Sequence, residues 1–434
     1  MTHGQARPKR RMSITHGYIG SVPTPPAEPT RAPAAVSAGG RIAVAMTLQN
    51  VGAYAFTLLA ARLLIPASFG ALTALLGVLL VANVASLAVQ TTTARRIAVA
   101  PEHADRIAAT ATAVSVSLGV VVGLGLVVLS PVLAPILQLD SVWPLVLCGA
   151  TVVPLTLMGT LAGITQGQHR WTVLSVLYIA NGVGRVVFGT AAMLISPTPT
   201  AAIAGVMVGA WLPVVVGLRY LRPGGLGGSR AYVWELLAGS HAMLAYLVLS
   251  NLDALLARVA LSPHDSGLYA AGLILTKSAL FLPQFVSIVA FPRLARARAE
   301  RARRLATGAV ALVGLAATVA TALLPGVALI LVGGDQYAEV KPLLWLFALE
   351  GAMLAIVQLL VFDALARRSH GIVTLLWVAA AVAGGIILLA PLHVQGVVIT
   401  MTVTATVVAA AAWWLSSRTP EAQPASVGPG AQAA

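Results

Sequence analysis

Charged side chains are scarce in this sequence: they make up 9% of its 434 residues, whereas soluble globular proteins carry about 25%. Hydrophobic residues make up 58%, so this composition cannot build a water-facing surface. The scarcity excludes a secreted enzyme and a cytosolic nucleotide-binding protein. At roughly 20 residues per membrane-crossing helix, the length accommodates about a dozen spans. We therefore predict an all-α polytopic membrane protein.

Cysteine and catalytic motifs are also nearly absent. The single cysteine, Cys148, lies in an apolar run, which excludes an intrachain disulfide and a cysteine-based metal site. The sequence has no H-E-x-x-H motif and no Gly-Lys pair, and therefore no Walker A motif. We expect no catalytic residue, no metal site and no cofactor, and an enzyme or scaffold of cell-envelope assembly is the weakest functional class.

Twelve apolar segments are predicted to cross the membrane. They lie near 42–64, 69–93, 107–130, 143–165, 171–195, 200–219, 238–260, 267–290, 305–332, 342–365, 371–391 and 395–416. The corresponding domains are a disordered tail (1–35), a six-helix bundle (36–222), a cytoplasmic linker (223–237), a second six-helix bundle (238–416) and a disordered tail (417–434).

The basic residues are distributed unevenly between the two sides of this layout. Of 27 lysines and arginines, 22 lie on one set of connections and tails, three lie on the other, and two lie inside spans. This asymmetry predicts an inner (plasma) membrane protein with both termini in the cytoplasm. The arginine clusters, including a juxtamembrane helix over Pro292–Arg304, are expected to contact anionic lipid headgroups. This distribution does not favour nucleic-acid binding.

Two segments just under 200 residues apart resemble each other. Ala61-Arg62 and Ala257-Arg258 each close one span, a proline-containing turn follows, and Gly70 or Gly267 opens the next span. Since six spans separate the copies, both halves would insert with the same orientation. The sequence thus predicts two parallel bundles related by an axis along the membrane normal, as in alternating-access carriers.

The same segments resemble a known superfamily. The run Gly52–Leu75 (GAYAFTLLAARLLIPASFGALTAL) is similar to the first helix pair of polysaccharide exporters. The runs NLDALLAR from Asn251, GLYAAG from Gly267 and FPRLA from Phe291 are similar to their seventh and eighth helices. These exporters belong to the multidrug/oligosaccharidyl-lipid/polysaccharide (MOP) superfamily, which includes Wzx-like flippases, lipid II flippases and MATE antiporters. The motifs cover about a fifth of the chain.

The resemblance implies a flippase that exports a polyprenyl-pyrophosphate-linked oligosaccharide or related lipid-linked glycan. Glycosyltransferases or a polymerase are then candidate partners. The alternative is a MATE-like cation-coupled exporter of small amphipathic molecules. Lipid II flippases usually carry two further helices, which disfavours that branch for this chain.

Four charged residues are placed at membrane depth, where they usually face a cavity or a partner: Arg185, Asp253, Lys277 and Glu350. Helical rise places each of them roughly 10–15 Å below the outer end of its span. They form either a functional polar cavity or two structural ion pairs. In the first case, Arg185 and Lys277 face a central cavity and contact the phosphates of the substrate. Asp253 would hold Lys277, and Glu350 would balance Arg185 or bind a coupling ion.

Uncharged polar residues occur in the same spans. Asn50, Asn181 and Asn251 are candidate cavity residues, while each polar residue alone, such as Gln49, Asn83 or Gln90, is more typical of a helix–helix hydrogen bond. Arg185 follows Asn181-Gly-Val-Gly184, where missing side chains permit bending or close approach.

Overall fold

The computed structural model describes residues 32–225, 229–279, 299–366 and 371–418. This part of the chain is helical and contains no strand. Its α-helices are α1 (Ala32–Leu63), α2 (Pro66–Val99), α3 (Ala104–Ile136), α4 (Trp143–Gly167), α5 (Trp171–Ile195), α6 (Pro199–Gly217), α7 (Ser229–Ala260), α8 (Pro263–Ala279), α9 (Ala299–Leu323), α10 (Pro325–Val332), α11 (Leu344–Ala366), α12 (Gly371–Leu389) and α13 (Val394–Arg418). Short 3-10 helices cover Pro101–His103, Leu218–Tyr220 and Asp335–Leu343.

Ten of the described helices are long and apolar enough to cross a membrane: α1–α6, α9 and α11–α13. The predicted seventh span, 238–260, lies within α7, which begins nine residues earlier at Ser229. The predicted eighth span, 267–290, begins within α8, and its residues 280–290 lie outside the described part of the chain. So do most of the predicted juxtamembrane helix and most of both predicted tails.

The predicted ninth span, 305–332, is not one helix. α9 ends at Leu323, and Leu324 has φ −123° and ψ 54°, outside the helical region. Pro325 then begins α10. A proline has no N–H to donate and its ring clashes with the preceding turn, so it suits the first position of a new helix and not the interior of a long one.

Proline and hydroxyl side chains define other helix starts in the same way. α2, α6 and α8 each begin at a proline. Thr198 caps α6 because its Oγ1 accepts a hydrogen bond from the backbone N–H of Ala201 at 3.2 Å. These starts follow from local sequence alone, since proline pre-sets φ and a hydroxyl satisfies a free backbone donor.

The helices form two groups. α1–α6 pack with one another, and α7–α13 pack with one another. α2 joins the groups, because it packs against α4 on one side and against α7 and α8 on the other. The largest apolar core extends across this junction and includes Phe56, Phe69, Tyr269 and Phe347.

The two ends of the bundle differ in charge. We call the end with Arg95, Arg96, Asp105, Arg222 and Glu235 the basic face. Arg96 there bonds to Glu235 at 2.9 Å and Arg222 bonds to Asp105 at 3.1 Å. We call the end with Arg62, Arg258 and Lys341 the opposite face.

The two repeated segments meet each other at the opposite face. A Cβ atom placed at Gly70 would lie 2.7 Å from Ser266 Oγ and 2.8 Å from the backbone nitrogen of Gly267. A Cβ atom at Gly267 would clash with the carbonyl oxygen of Pro66. The absence of a side chain at both glycines therefore permits the turns before α2 and α8 to pack in direct backbone contact.

Candidate functional site

A polar cavity of about 280 Å³ lies inside the first helix group. It is formed by α1, α2, α4, α5 and α6, and its walls also contain leucine, alanine and valine side chains. Its polar lining consists of Gln49, Asn50, Asn83, Thr151, Asn181 and Arg185. The structure thus places three of the predicted site residues, Asn50, Asn181 and Arg185, around one cavity.

Arg185 brings an unneutralised positive charge to this cavity. Its guanidinium lies over the ring of Phe56, with Cζ 5.1 Å from the ring centroid. Its Nε is buried and has no hydrogen-bond partner among the described residues, and none of the ion pairs found there includes Arg185. Because a buried cation without a counter-charge is costly, this arrangement suits an anionic ligand.

Glycines set the position of Arg185 by allowing α5 to approach its neighbours closely. A Cβ atom at Gly182 would lie 2.9 Å from the Cα of Gln49 in α1, and Cβ atoms at Gly184 and Gly209 would clash with each other's backbone. Small residues allow such close backbone packing between membrane helices. Of the two roles predicted for the Gly-Val-Gly segment, bending and close approach, the structure shows close approach to α1 and α6.

The other four predicted residues form a second group, in α7, α8 and α11. Asp253, Lys277 and Glu350 interact electrostatically with one another, and Asn251 accepts a hydrogen bond from Lys277 Nζ at 2.9 Å. Asp253 and Glu350 are both 0% exposed. We call these four residues the carboxyl cluster.

The predicted direct pairing of Asp253 with Lys277 is not found among the ion pairs of the described residues. Lys277 Nζ instead donates to the carbonyl oxygen of Ser250 and to Asn251 Oδ1. Asn251 is fixed in turn, because its Nδ2 donates to the carbonyl oxygen of Leu247 at 2.8 Å. The lysine is thus held by neutral oxygens, and its charge acts on the two carboxyl groups without a direct bond.

Three carboxyl oxygens of the cluster receive no hydrogen bond from an N–H or hydroxyl group of the described residues. Asp253 Oδ1 accepts from the backbone N–H of Ala254 at 2.8 Å, whereas Asp253 Oδ2 and both carboxyl oxygens of Glu350 are buried and accept no hydrogen bond from any other group of the described residues. The two carboxyl groups lie close enough to hydrogen-bond to each other when one of them carries a proton. The hydroxyl of Tyr269, which interacts electrostatically with both carboxyl groups, is also unpartnered. Since two buried carboxylates exceed the charge of one lysine, a proton or a bound cation is needed to balance them.

α2 separates the cavity from the carboxyl cluster. Its Leu76, Leu80 and Asn83 line the cavity, whereas a Cβ atom at Gly77 would lie 3.5 Å from Leu255 and 3.9 Å from the carbonyl oxygen of Asn251 in α7. The prediction that Arg185 and Lys277 face one common cavity, and that Glu350 balances Arg185, therefore differs from the structure, where they belong to different helix groups.

The polar residues outside the predicted site have mixed roles. Gln90 forms the expected interhelical hydrogen bonds, donating to Gln166 Oε1 at 3.0 Å and to Tyr178 OH at 2.9 Å. Gln49 and Asn83, which were predicted to form such bonds, line the cavity instead. The Arg185 guanidinium lies over the ring of Phe56. In the sequence, Phe56 is an aromatic residue in an apolar run, and nothing there indicates its contact with Arg185.

Comparison with known proteins assigns the chain to a family. Residues 59–342 match the family described as polysaccharide biosynthesis protein. No curated protein sequence matches the chain.

Solved structures share the fold. A multidrug resistance MATE family transporter of the MOP superfamily, in an inward-facing conformation, matches with a TM-score of 0.68, 13% identity, and coverage of 88% of this chain and 97% of that chain. The lipid II flippase MurJ, in an inward closed conformation, matches with a TM-score of 0.69, 12% identity, and coverage of 87% and 88%. A MOP superfamily transporter from Pyrococcus furiosus, described as having a binding pocket of reverse polarity, matches with a TM-score of 0.58, 16% identity, and coverage of 88% and 95%.

The family match extends over more than half of the chain, and the structural matches extend over most of it. The protein is therefore a multi-pass membrane protein that belongs to the polysaccharide biosynthesis protein family and has the fold of the MOP transporter superfamily.

Proposed function

We propose that the protein is a flippase that moves a polyprenyl-pyrophosphate-linked oligosaccharide, or a related lipid-linked glycan, to the outer leaflet for cell-envelope polysaccharide biosynthesis. Its membership of a polysaccharide biosynthesis family supports the biosynthetic context. The transporters and the flippase among its structural relatives support a role in transport and not in catalysis.

One observation carries the substrate class: Arg185 brings a positive charge, with no acidic partner among the described residues, to a cavity otherwise lined by neutral polar and apolar side chains. A lipid-linked pyrophosphate is anionic, and guanidinium groups bind phosphate oxygens through paired hydrogen bonds. The neighbouring amides of Asn50 and Asn181 line the same cavity and can donate to the remaining phosphate or sugar oxygens.

Transport would proceed by alternating access, with the basic face in the cytoplasm. The turns before α2 and α8 close the opposite face, and rocking of the two helix groups about α2 would separate them. An inside-negative membrane potential assists the export of negative charge by about 2.3 kcal/mol per charge per 100 mV. In this orientation the protein lies in the inner (plasma) membrane, and both of its termini are in the cytoplasm.

The carboxyl cluster supports a second candidate function, a MATE-like cation-coupled exporter of small amphipathic molecules. Within the described part of the chain, no other group donates to three of the carboxyl oxygens of Asp253 and Glu350, so a proton shared by the two groups, or a monovalent cation, can bind there. In the flippase, the same cluster would bind the ion that is coupled to glycan transport. The two candidates therefore differ in the substrate that enters the cavity and not in the use of the cluster.

The test uses purified protein in liposomes that contain a fluorescent polyprenyl-pyrophosphate-linked sugar. Glycan that reaches the far leaflet is measured by its sensitivity to a membrane-impermeant glycosidase. We expect Arg185→Gln to reduce flipping at least about tenfold, because it removes charge-assisted hydrogen bonds to phosphate. Arg185→Lys, which retains the charge, and Arg106→Gln, which removes an exposed arginine outside the cavity lining, should retain more activity.

Flipping by Arg185→Gln at the normal rate, with normal protein abundance, would overturn the phosphate-binding role. Transport of an amphipathic organic cation, with no movement of the glycan lipid by the wild-type protein, would favour the second candidate.

A further inference from the structure

A second cavity, of about 570 Å³, lies at the basic face and is separate from the Arg185 cavity. It is formed by the 3-10 helix Pro101–His103, the start of α3, the end of α4, the connection from α4 to α5, and the 3-10 helix after α6 with Arg222 beyond it. Its polar lining includes Glu102, Asp105, Arg170, Arg219, Tyr220 and Arg222. We call this cavity the basic pocket. Its volume lies within the range of about 300–1,000 Å³ that is typical of small-molecule sites.

Tyr220 holds two of the pocket arginines in place. The guanidinium carbons of Arg170 and Arg219 lie 5.3 Å and 4.9 Å from the centroid of its ring. Arg219 also donates a hydrogen bond to Tyr220 OH at 2.9 Å. Stacking on one aromatic ring restricts both side chains, so less conformational entropy is lost when they bind a ligand.

The pocket contains more positive charge than its own acids neutralise. The lining contains three arginines and two acids, which leaves a net positive charge. Arg222 is paired with Asp105 at 3.1 Å, and Glu102 forms no ion pair with an arginine of the described residues. Arg170 and Arg219 remain without an acidic partner among the described residues. Both guanidinium groups line the same cavity, so an anion bound there would offset the repulsion between the two like charges.

The N-terminal start of α5 adds positive electrostatic potential near the basic pocket. α5 begins at Trp171, directly after Arg170, and the first backbone N–H groups of a helix carry partial positive charge. Phosphate fits this set of donors better than a carboxylate, because it offers oxygens to two guanidinium groups at once.

We propose that the basic pocket binds the phosphate group of an organic phosphate, with Arg170 and Arg219 as its ligands and Tyr220 as their support. The pocket lies at the ends of the helices, where phospholipid headgroups reside in a bilayer, so the phosphate can come from a lipid of the adjacent leaflet. It can also come from a soluble compound such as pyrophosphate. This binding does not depend on the proposed transport activity, because the pocket shares no lining residue with the Arg185 cavity.

The test uses the full-length protein in phosphatidylcholine nanodiscs, with binding measured in two arms. In the first arm, phosphatidylglycerol is added to the nanodisc and lipid retention is measured by native mass spectrometry. In the second arm, inorganic pyrophosphate is titrated in solution by calorimetry. The variant is Arg170→Gln/Arg219→Gln. The matched control, Arg106→Gln/Arg230→Gln, removes the same charge at other exposed positions near the same face.

We expect the pocket variant to weaken binding at least about tenfold in one arm, since charge-assisted hydrogen bonds are lost, while the control changes it little. Tyr220→Phe should preserve most of the binding, and Tyr220→Leu should lose it, because only the former retains an aromatic ring. Binding in the lipid arm alone identifies a headgroup, and binding in the pyrophosphate arm identifies a soluble phosphate. Equal losses in the pocket variant and the control, or no binding by the wild-type protein in either arm, would overturn the proposal.

Discussion

Arg258 donates a hydrogen bond from Nε to the carbonyl oxygen of Leu137 at 2.8 Å, across 121 residues of sequence. The same guanidinium donates to the carbonyl oxygen of Gln138 at 2.7 Å and to Ser266 Oγ at 2.9 Å, and Arg258 is 4% exposed. α7, in the second helix group, is thereby bound to the end of α3, in the first.

The repeat partner of Arg258 makes the reciprocal contact. Arg62, at the end of α1, donates to the carbonyl oxygen of Ile330 in α10 at 3.2 Å. Each repeated arginine thus bonds to a helix of the other group at the opposite face. The two contacts are unequal, because Arg62 is exposed and has one acceptor while Arg258 is buried and has several.

Arg258→Ala is therefore expected to destabilise the protein far more than Arg62→Ala. Several buried acceptors would lose their donor, at a cost of about 3 kcal/mol in the free energy of unfolding. The exposed contact of Arg62 should contribute less than about 1 kcal/mol. Thermal unfolding of both variants in the same detergent measures the difference. Equal melting temperatures would show that the buried network does not stabilise the fold.

Gly267→Val is expected to separate the two helix groups at the opposite face, because its Cβ would clash with the backbone of Pro66. The readout is labelling of Leu261→Cys, which replaces a 4% exposed side chain, by an impermeant maleimide in a Cys148→Ala background. Labelling should rise in Gly267→Val. The control is Gly385→Ala, since a Cβ atom at Gly385 meets no atom within 4 Å. Unchanged labelling in folded Gly267→Val would contradict close packing of the turns as the reason the face is closed.

Lys277→Met is expected to lower the amount of folded protein in the membrane, because two buried carboxyl groups lose their counter-charge. Breaking a buried charge arrangement in this way costs about 3–5 kcal/mol. The double variant Lys277→Met/Asp253→Asn should recover abundance. Quantitative immunoblotting of membrane fractions checks both. If the double variant is no more abundant than the single one, Lys277 does not stabilise the carboxyl cluster through charge.

The Glu235 carboxyl at the basic face predicts a pH dependence of stability. Burial raises the pKa of Glu235, but hydrogen bonds from Arg95 and Arg96 outweigh burial and lower the pKa below its ordinary value. Its stabilising effect is therefore present above the unfolded-state pKa, at about 4.3, and is lost as the pH falls through the folded-state pKa.

Glu235→Gln should thus be less stable than wild type at about pH 7, by less than about 1 kcal/mol because the pair is partly exposed. The difference should shrink below about pH 4, where the wild-type carboxylate becomes protonated. Thermal unfolding across this pH range measures the difference, with Asp335→Asn as the control, since Asp335 is an exposed acid at the opposite face that is in no ion pair of the described residues. A difference that does not change with pH would rule out the ionised carboxylate as its source.

Short-range features of the sequence determined much of the fold. Apolar runs of about 20 residues specify membrane helices, because a backbone in lipid must satisfy its own hydrogen bonds, and prolines such as Pro66 and Pro199 mark helix starts. Rarity of charge likewise identified Arg185, Asp253, Lys277 and Glu350, since a charge at membrane depth needs a partner or a cavity. The repeated Ala-Arg pairs located Arg62 and Arg258 without indicating that Arg258 would be buried.

Only the tertiary structure decided which of these residues meet. Depth along a helix is readable from sequence, but rotation about its axis is not fixed until neighbours pack. Asn251 and Asp253 are two residues apart, so they point in nearly opposite directions, and Lys277 bonds to the first and not to the second. The helical rise predicts similar depths for Arg185 and Glu350, yet α2 lies between their helix groups, with Leu76 and Leu80 lining the cavity and Gly77 next to Leu255 of α7. Such contacts join residues far apart in the chain, so they cannot be predicted from the local sequence around either residue.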